Sequence, residues 1–216
     1  MELTLSTIPE KEALRYLGVR GEVPPDVLEQ VRDAIRTLLP RCAVRYVWRL
    51  MDKADLSDLM VGDDLPTLLR DCDRAVVFAV TLGLGAESLI RRAGLTSPTR
   101  ALILDACASA ACEQACDDLQ AMLEAQLSAD GVYFTDRFSP GYGDLPREVQ
   151  RPLLTTVDAG RRCGITLSDT CIMSPRKSVT AVFGLADKPQ GKRARGCAFC
   201  SMNQNCSFRK AGITCA

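Results

Sequence analysis

An α+β fold is predicted for this chain: one domain with a mainly antiparallel, twisted sheet flanked by helices, followed by a short Cys-rich C-terminal metal module. Two features predict the domain. Strand-like and helix-like stretches interleave without the regular spacing of βαβ units, and the clearest strands are short apolar or β-branched runs bounded by Gly and Pro. The third feature, four Cys within nineteen residues at the end of the chain, predicts the appended module.

The elements follow in order. Pro9 to Leu17 reads as a short helix ended by Gly18, and Pro24-Pro25-Asp26 opens an amphipathic helix that stops at Pro40. Cys42 to Leu50, containing Val44, Tyr46, Val47 and Trp48, is strand-like. Arg74 to Thr81 holds the apolar run Ala75 to Val80, reads as a buried strand, and enters a Gly83-Leu84-Gly85 turn with a helix following to Arg92. The longest helix starts near Ser97-Pro98 and continues to about Leu127, because Pro suits a first turn and nothing breaks the pattern afterwards. Gly131 to Thr135 is a short strand, 137 to 142 an ordered irregular loop, Pro146 to Arg161 a helix, and Gly164 to Leu167 and Ser178 to Leu185 two more strands. The organisation read from this is a helical and strand-bearing N-terminal part at 1–73, a core at 74–187, and a basic hinge with its Cys-rich tail at 188–216.

Composition narrows the chemistry. Apolar residues make up 47% of the 216, enough for one sizeable core, while 27 basic and 27 acidic residues balance, which argues against a nucleic-acid or anionic-membrane partner. The first residues show no export signal and no stretch is apolar for the length a membrane span needs, so a cytoplasmic protein is expected. The chain has eleven Cys and no His, which excludes His-based triads and His metal ligands and points to thiols or metal thiolates in a reducing compartment.

One segment carries a specific signal. Arg137-Phe138-Ser139-Pro140-Gly141-Tyr142 resembles the R-x-x-x-G-Y signature of the activation domain of cobalamin-dependent methionine synthase. Three further stretches match that family in the same order. Phe78 to Gly85 resembles its F-A-V-T-A-G-L-G strand and turn, Arg162 to Leu167 its R-I-G-M-T-L, and Met173-Ser174-Pro175 with Ser178-Val179 its W-P-x-A-S-V. The resemblance spans about 74–186, while Glu12 to Gly18 looks like the single-domain relatives.

The resemblance implies S-adenosylmethionine as ligand and a job: donating its methyl group to cobalamin held by a partner, after one-electron reduction of the inactive cob(II)alamin. The partner implied is a corrinoid-binding methionine synthase lacking its own activation domain, served by a low-potential electron donor. Carried over residue by residue, Arg137 clasps the ligand carboxylate, Ser139 and Gly141 offer backbone groups to the adenosine, and Tyr142 lies at the face met by the corrin. The chemistry of those residues agrees, since Arg presents a planar donor fork, Gly permits close approach, and Tyr gives a flat face with a polar tip. The alternative reading pairs Arg137 with Asp136 or Asp144 and places Tyr142 in the core.

Glu113 is the second candidate. At 100° per residue it lies within about 20° of Leu102 and Ala106 on the long helix, so it is expected to point inward. In the resembled family a Glu on this helix approaches the ligand, where a carboxylate suits the positive sulfonium. The plainer alternative is a carboxylate bonded to a helix N-terminus. The chain also departs from the family: Gly143-Asp144-Leu145-Pro146 stands where multidomain members have P-A-C-P-D-H, and no acidic ligand contact can be matched within 1–73.

In the tail, Cys197, Cys200, Cys206 and Cys215 can complete a tetrahedral zinc site or hold an iron-sulfur cluster, and such a cluster could pass on the activating electron. The C-x-x-x-C-x-x-C spacing of radical enzymes is absent, and Cys107, Cys112 and Cys116, at helical spacing, read as small core residues. The chain is read as an accessory methyltransferase acting by positioning, with no catalytic side chain assigned. The reading from another class is a metal-stabilised interaction module with a vestigial ligand pocket.

Overall fold

The strand read from Ala75 to Val80 forms the centre of the molecule as β3 (Cys72–Thr81). In the computed structural model, which describes residues 1–19, 21–128 and 131–190 together with 204 and 210 singly, β3 is buried at every position from Ala75 to Thr81. It lies between β2 (Val44–Asp52) and β7 (Ser178–Ala186), antiparallel to both. The short strands β1 (Glu2–Leu3) and β4 (Tyr133–Phe134) complete the order β1-β2-β3-β7-β4, and β5 (Thr166–Leu167) pairs with β6 (Met173–Ser174) in a separate ribbon. The register runs unbroken from Arg45 opposite Thr81 to Asp52 opposite Arg74, so the N-terminal part and the core share one sheet.

Alternation along β3 explains why both faces are covered. Val76, Phe78 and Val80 face one apolar cluster, and Ala75, Val77 and Ala79 face another. On the first face pack α1 (Glu10–Tyr16), α2 (Pro25–Leu38), α4 (Leu84–Thr96) and α5 (Pro98–Leu127). On the second lie a 3-10 segment over Lys53–Leu59, α3 (Asp64–Leu68), α6 (Gln150–Thr156) and α7 (Ala159–Cys163).

The thirty-residue helix α5 starts where the sequence places it. Ser97 caps it by accepting the Arg100 N–H at 3.2 Å, with Pro98 in the first turn. Its buried side is made of small residues, among them Cys107, Ala108, Ala111, Cys112, Ala115 and Cys116, which lets α1, α2 and α4 pack closely against it. Burial pushes the Cys107 thiol up to about 11 and Cys112 to about 12, and Cys116 is raised as well, so these are inert core thiols as expected.

Several expectations are corrected. The helix read from Pro146 to Arg161 is a 3-10 turn at Arg147–Val149 followed by α6 and α7, broken where Asp158 adopts φ 55°. The strand read from Gly131 to Thr135 is regular only at Tyr133–Phe134, and that read from Gly164 to Leu167 only at Thr166–Leu167; within the stretch unassigned from sequence, Lys53–Leu59 and Asp64–Leu68 are helical. Among the described residues no helix is long and apolar enough to cross a membrane, and none form a cluster of metal-ligating side chains. The predicted metal ligands Cys197, Cys200, Cys206 and Cys215 lie outside the described residues.

Candidate functional site

The signature segment is laid against the free side of β7. Phe138 and Val182 exchange two backbone hydrogen bonds of 2.8 Å, and Thr135 accepts the Gly184 N–H on its hydroxyl at 2.8 Å. This pairing turns Phe138 into the second core cluster and leaves Arg137, its neighbour, on the opposite side toward α5.

There the guanidinium meets two carboxylates one helical turn apart. Nη2 donates to Glu113 Oε2 at 2.8 Å, and Nη1 donates to Asp117 Oδ1 at 2.5 Å and to Gln120 Oε1 at 3.3 Å. Glu113, Asp117 and Gln120 stand at i, i+4 and i+7, so they form one stripe on α5, and the two acids would repel each other without the cation between them. Burial works against the charged form of Arg137, yet the bonds to Asp117 and Glu113 hold its pKa above the ordinary arginine value. A guanidinium has five N–H donors. Three are engaged among the described residues, leaving Nε and one Nη2 hydrogen, which is the number one carboxylate takes.

Glu113 is half-buried, as its place on the helix suggested, but for a different reason. Leu102, used to define its face, is 63% exposed, and what covers Glu113 is Arg137 rather than core. The carboxylates that Arg137 meets are thus Glu113 and Asp117, while the Asp144 carboxylate accepts the Asp63 N–H at 2.6 Å and the Asp64 N–H at 3.1 Å, holding the loop to the start of α3. The chain's departure from the family pattern at 143–146 thus has a structural role. Gly143 needs to be glycine there, since it has φ 55° and an added Cβ would run into the Asp64 carboxylate.

Within the loop, Gly141, at φ 93°, donates its N–H to the Leu145 carbonyl at 2.8 Å, and the Tyr142 N–H donates to the Ser139 carbonyl at 3.2 Å. What Gly141 can still offer a ligand is its carbonyl. Tyr142 is 64% exposed, so it is not a core residue. Its hydroxyl lies within the influence of Glu113, Arg137 and Arg15, while burial of the hydroxyl pushes its pKa up first of all.

Tyr16, the last residue of α1, falls in the stretch Glu12 to Gly18 that resembles the single-domain relatives, though the resemblance gives it no role. Its ring carries the Arg15 guanidinium at 4.5 Å from the centroid, and its hydroxyl, raised mainly by burial, also feels Glu113 and Tyr142. Asp117 and Gln120 were missed too, although their spacing from Glu113 was readable. Two open clefts of about 530 and 420 Å³ exist elsewhere, around Arg49 and Arg74 and around Leu154 and Ile165, and none of the signature residues lines them. Arg137 therefore stands at the surface between the signature loop and α5, outside both clefts.

No family model and no curated protein matches the chain. Among solved structures, its fold is similar to one described as the crystal structure of the MetH reactivation domain bound to AdoHcy, with a TM-score of 0.67 and 14% identity, covering 100% of this chain and 86% of that one. At that identity the likeness establishes a shared fold.

Proposed function

We propose that the chain binds S-adenosylmethionine at the surface around Arg137 and supports reductive methylation of cobalamin carried by a methionine synthase or related corrinoid protein. The observation that carries this reading is the meeting of Arg137 with Glu113 at 2.8 Å, because a guanidinium with donors to spare next to a carboxylate is suited to a ligand that bears both a carboxylate and a sulfonium. The signature loop supplies the ordered sequence resemblance. The similar solved structure, which holds AdoHcy, supplies a fold with which such a ligand is compatible.

The residues would divide the work as follows. Arg137 takes the ligand carboxylate on its two remaining donors and keeps its bonds to α5. Glu113 faces the positive sulfur, and Ser139 and Gly141 border the adenosine. Tyr142, exposed at the rim, meets the corrin. In the transfer, the reduced cobalt of the partner provides the electron pair for the new carbon–cobalt bond, the carbon–sulfur bond breaks toward sulfur, and S-adenosylhomocysteine is left neutral at sulfur. A donor must first give cob(II)alamin one electron. The protein contributes position and electrostatics, as befits a good leaving group and a strong nucleophile.

Calorimetric titration of the full chain with S-adenosylmethionine tests the reading. Binding at sub-millimolar affinity is expected, and the absence of any heat at millimolar ligand would leave the vestigial-pocket module as the better description.

A further inference from the structure

Resting on the reading above, we infer that the ion pair of Asp105 with Lys177 binds the adenine base of the ligand, taking the edge that carries the 6-amino group and N7.

The elements around Arg137 lead from it to this pair. Phe138 bridges Val182 in the antiparallel sense, so the loop residues that follow it head toward the start of β7. Because Phe138 faces the second cluster, alternation puts Ser139 on the side of α5. Val179, Ala181, Phe183 and Leu185 of β7 face the cluster that holds α5, and Lys177 continues their series just before the strand. On α5, Asp105, Ser109, Glu113 and Asp117 follow in steps of four and share one stripe. Arg137 holds the Glu113 and Asp117 end of that stripe, and Lys177 holds the other.

The second end is as firmly built as the first. Lys177 Nζ lies 3.0 Å from Asp105 Oδ1 and donates to Ser109 Oγ at 2.9 Å, while the Ser109 hydroxyl donates to the Asp105 carbonyl at 3.1 Å. The Lys177 carbonyl accepts the Leu82 N–H at 2.9 Å, which fixes the backbone. An ammonium has three N–H donors and a carboxylate has two oxygens. Among the described residues, one N–H of Lys177 and Oδ2 of Asp105 are left without a partner, a donor beside an acceptor. The pair is reachable, with the Asp105 side chain 53% exposed and that of Lys177 16%.

One edge of adenine is the complement of such a pair, since its 6-amino group donates and the adjacent N7 accepts. Asp105 would take the amino hydrogen and Lys177 would donate to N7. The spacing agrees with the rest of the ligand. Asp105 precedes Glu113 by eight residues, about 12 Å along the helix axis. With Glu113 at the sulfonium, an extended adenosyl group laid along Ser139 and Gly141 brings its base to that end. Lys177 stands where the resembled W-P-x-A-S-V pattern has Ala, so this donor is the chain's own and is not carried over from the family.

The experiment compares, by calorimetry on the full chain, S-adenosylhomocysteine with S-inosylhomocysteine, in which a carbonyl oxygen replaces the 6-amino group. The wild-type chain should prefer the adenosyl ligand about tenfold, the low end for a bond to a charged group because Asp105 is half exposed. Asp105→Asn should remove that preference, since an amide can turn either its oxygen or its NH2 to the base. Lys177→Met should weaken both ligands alike, again about tenfold, since both keep N7. A pair that merely ties β7 to α5 would change Tm in these variants and leave affinity and base preference where they were, which refutes the inference. If Lys177→Met fails to fold, Asp105→Asn, at an exposed carboxylate, decides alone. Wild-type protein that binds neither ligand would sink the functional reading itself, whereas wild-type binding with no base preference would sink only the role of Asp105 and Lys177.

Discussion

Replacing Arg137 by Ala separates a binding arginine from a structural one, because the first role is read in Kd and the second in Tm. In the ligand-free chain the side chain is 23% exposed and pairs with Glu113, 35% exposed, and Asp117, 60% exposed. Ion pairs of that exposure are worth about 0.2–1 kcal/mol each, and leaving two acids unshielded one turn apart adds about 0.2–0.5 kcal/mol. The folding cost is then about 0.6–2.5 kcal/mol, a fall in Tm of about 1–10 °C for a chain of this size. The loss on the binding side is of similar size but appears in Kd rather than in Tm. A charge-assisted bond to the ligand carboxylate is worth about 1.5–3 kcal/mol, or about ten- to a hundredfold in Kd. The lower half of that range is expected here, because three of the guanidinium's donors are already committed to α5 and the ligand takes what remains. Calorimetry gives Kd and a thermal melt followed by circular dichroism gives Tm. Unchanged affinity beside a lowered Tm would make Arg137 a strut between the loop and α5, and the assignment of the site would fall. Arg137→Lys should retain most of the Tm and recover little of the affinity, since a point charge cannot reproduce a planar fork.

Other consequences can be checked as simply. Glu113→Gln should weaken S-adenosylmethionine and spare S-adenosylhomocysteine; parallel loss of both would show that the carboxylate does not sense the sulfonium. Gly143→Ala should cost about 1–3 kcal/mol of stability and weaken ligand binding, because φ 55° and the Asp64 carboxylate both oppose a Cβ, and a melt indistinguishable from wild type would contradict the tight seating of the loop. The thiols Cys112 and Cys116 are held protonated by burial, so the folded state keeps protons that the unfolded chain releases near pH 9. Stability is intact below that pH and falls above it by about 1.4 kcal/mol per pH unit for each thiol until the folded pKa is reached; a Tm flat from pH 8 to 10.5 would disprove the protonated burial. The tail ligands Cys197, Cys200, Cys206 and Cys215 should bind metal after anaerobic purification. A brown protein bleached by dithionite indicates the iron-sulfur cluster and a colourless one with zinc ends the electron relay, while protein free of both metals refutes the site altogether.

The elements whose structure could be read from sequence are those decided locally. α5 announces itself by Ser97 and Pro98 at one end and by thirty residues without a breaker, and β3 by a run of apolar residues too continuous for a one-sided strand. The second face of the sheet was poorly legible because its elements are short and set by tertiary contact. No periodicity marks a 3-10 segment at Lys53–Leu59, and the break at Asp158 depends on a left-handed residue that is not a glycine.

The site divides along the same line. Arg137, Gly141 and Tyr142 are visible because the loop's shape needs particular residues at fixed spacing, and Glu113 because a charge on a half-buried helical face is unusual. Asp117 and Gln120 are hard to find for the opposite reason. Polar residues on an outer helix face satisfy every local rule as surface residues, and only the pairing of the loop with β7 brings Arg137 onto them. A motif search therefore finds residues such as Arg137 and Gly141, whose forked side chain or positive φ few other residues can replace. It overlooks their partners on α5, because a hydrogen-bond acceptor at the right place on a helix can be any of several common residues.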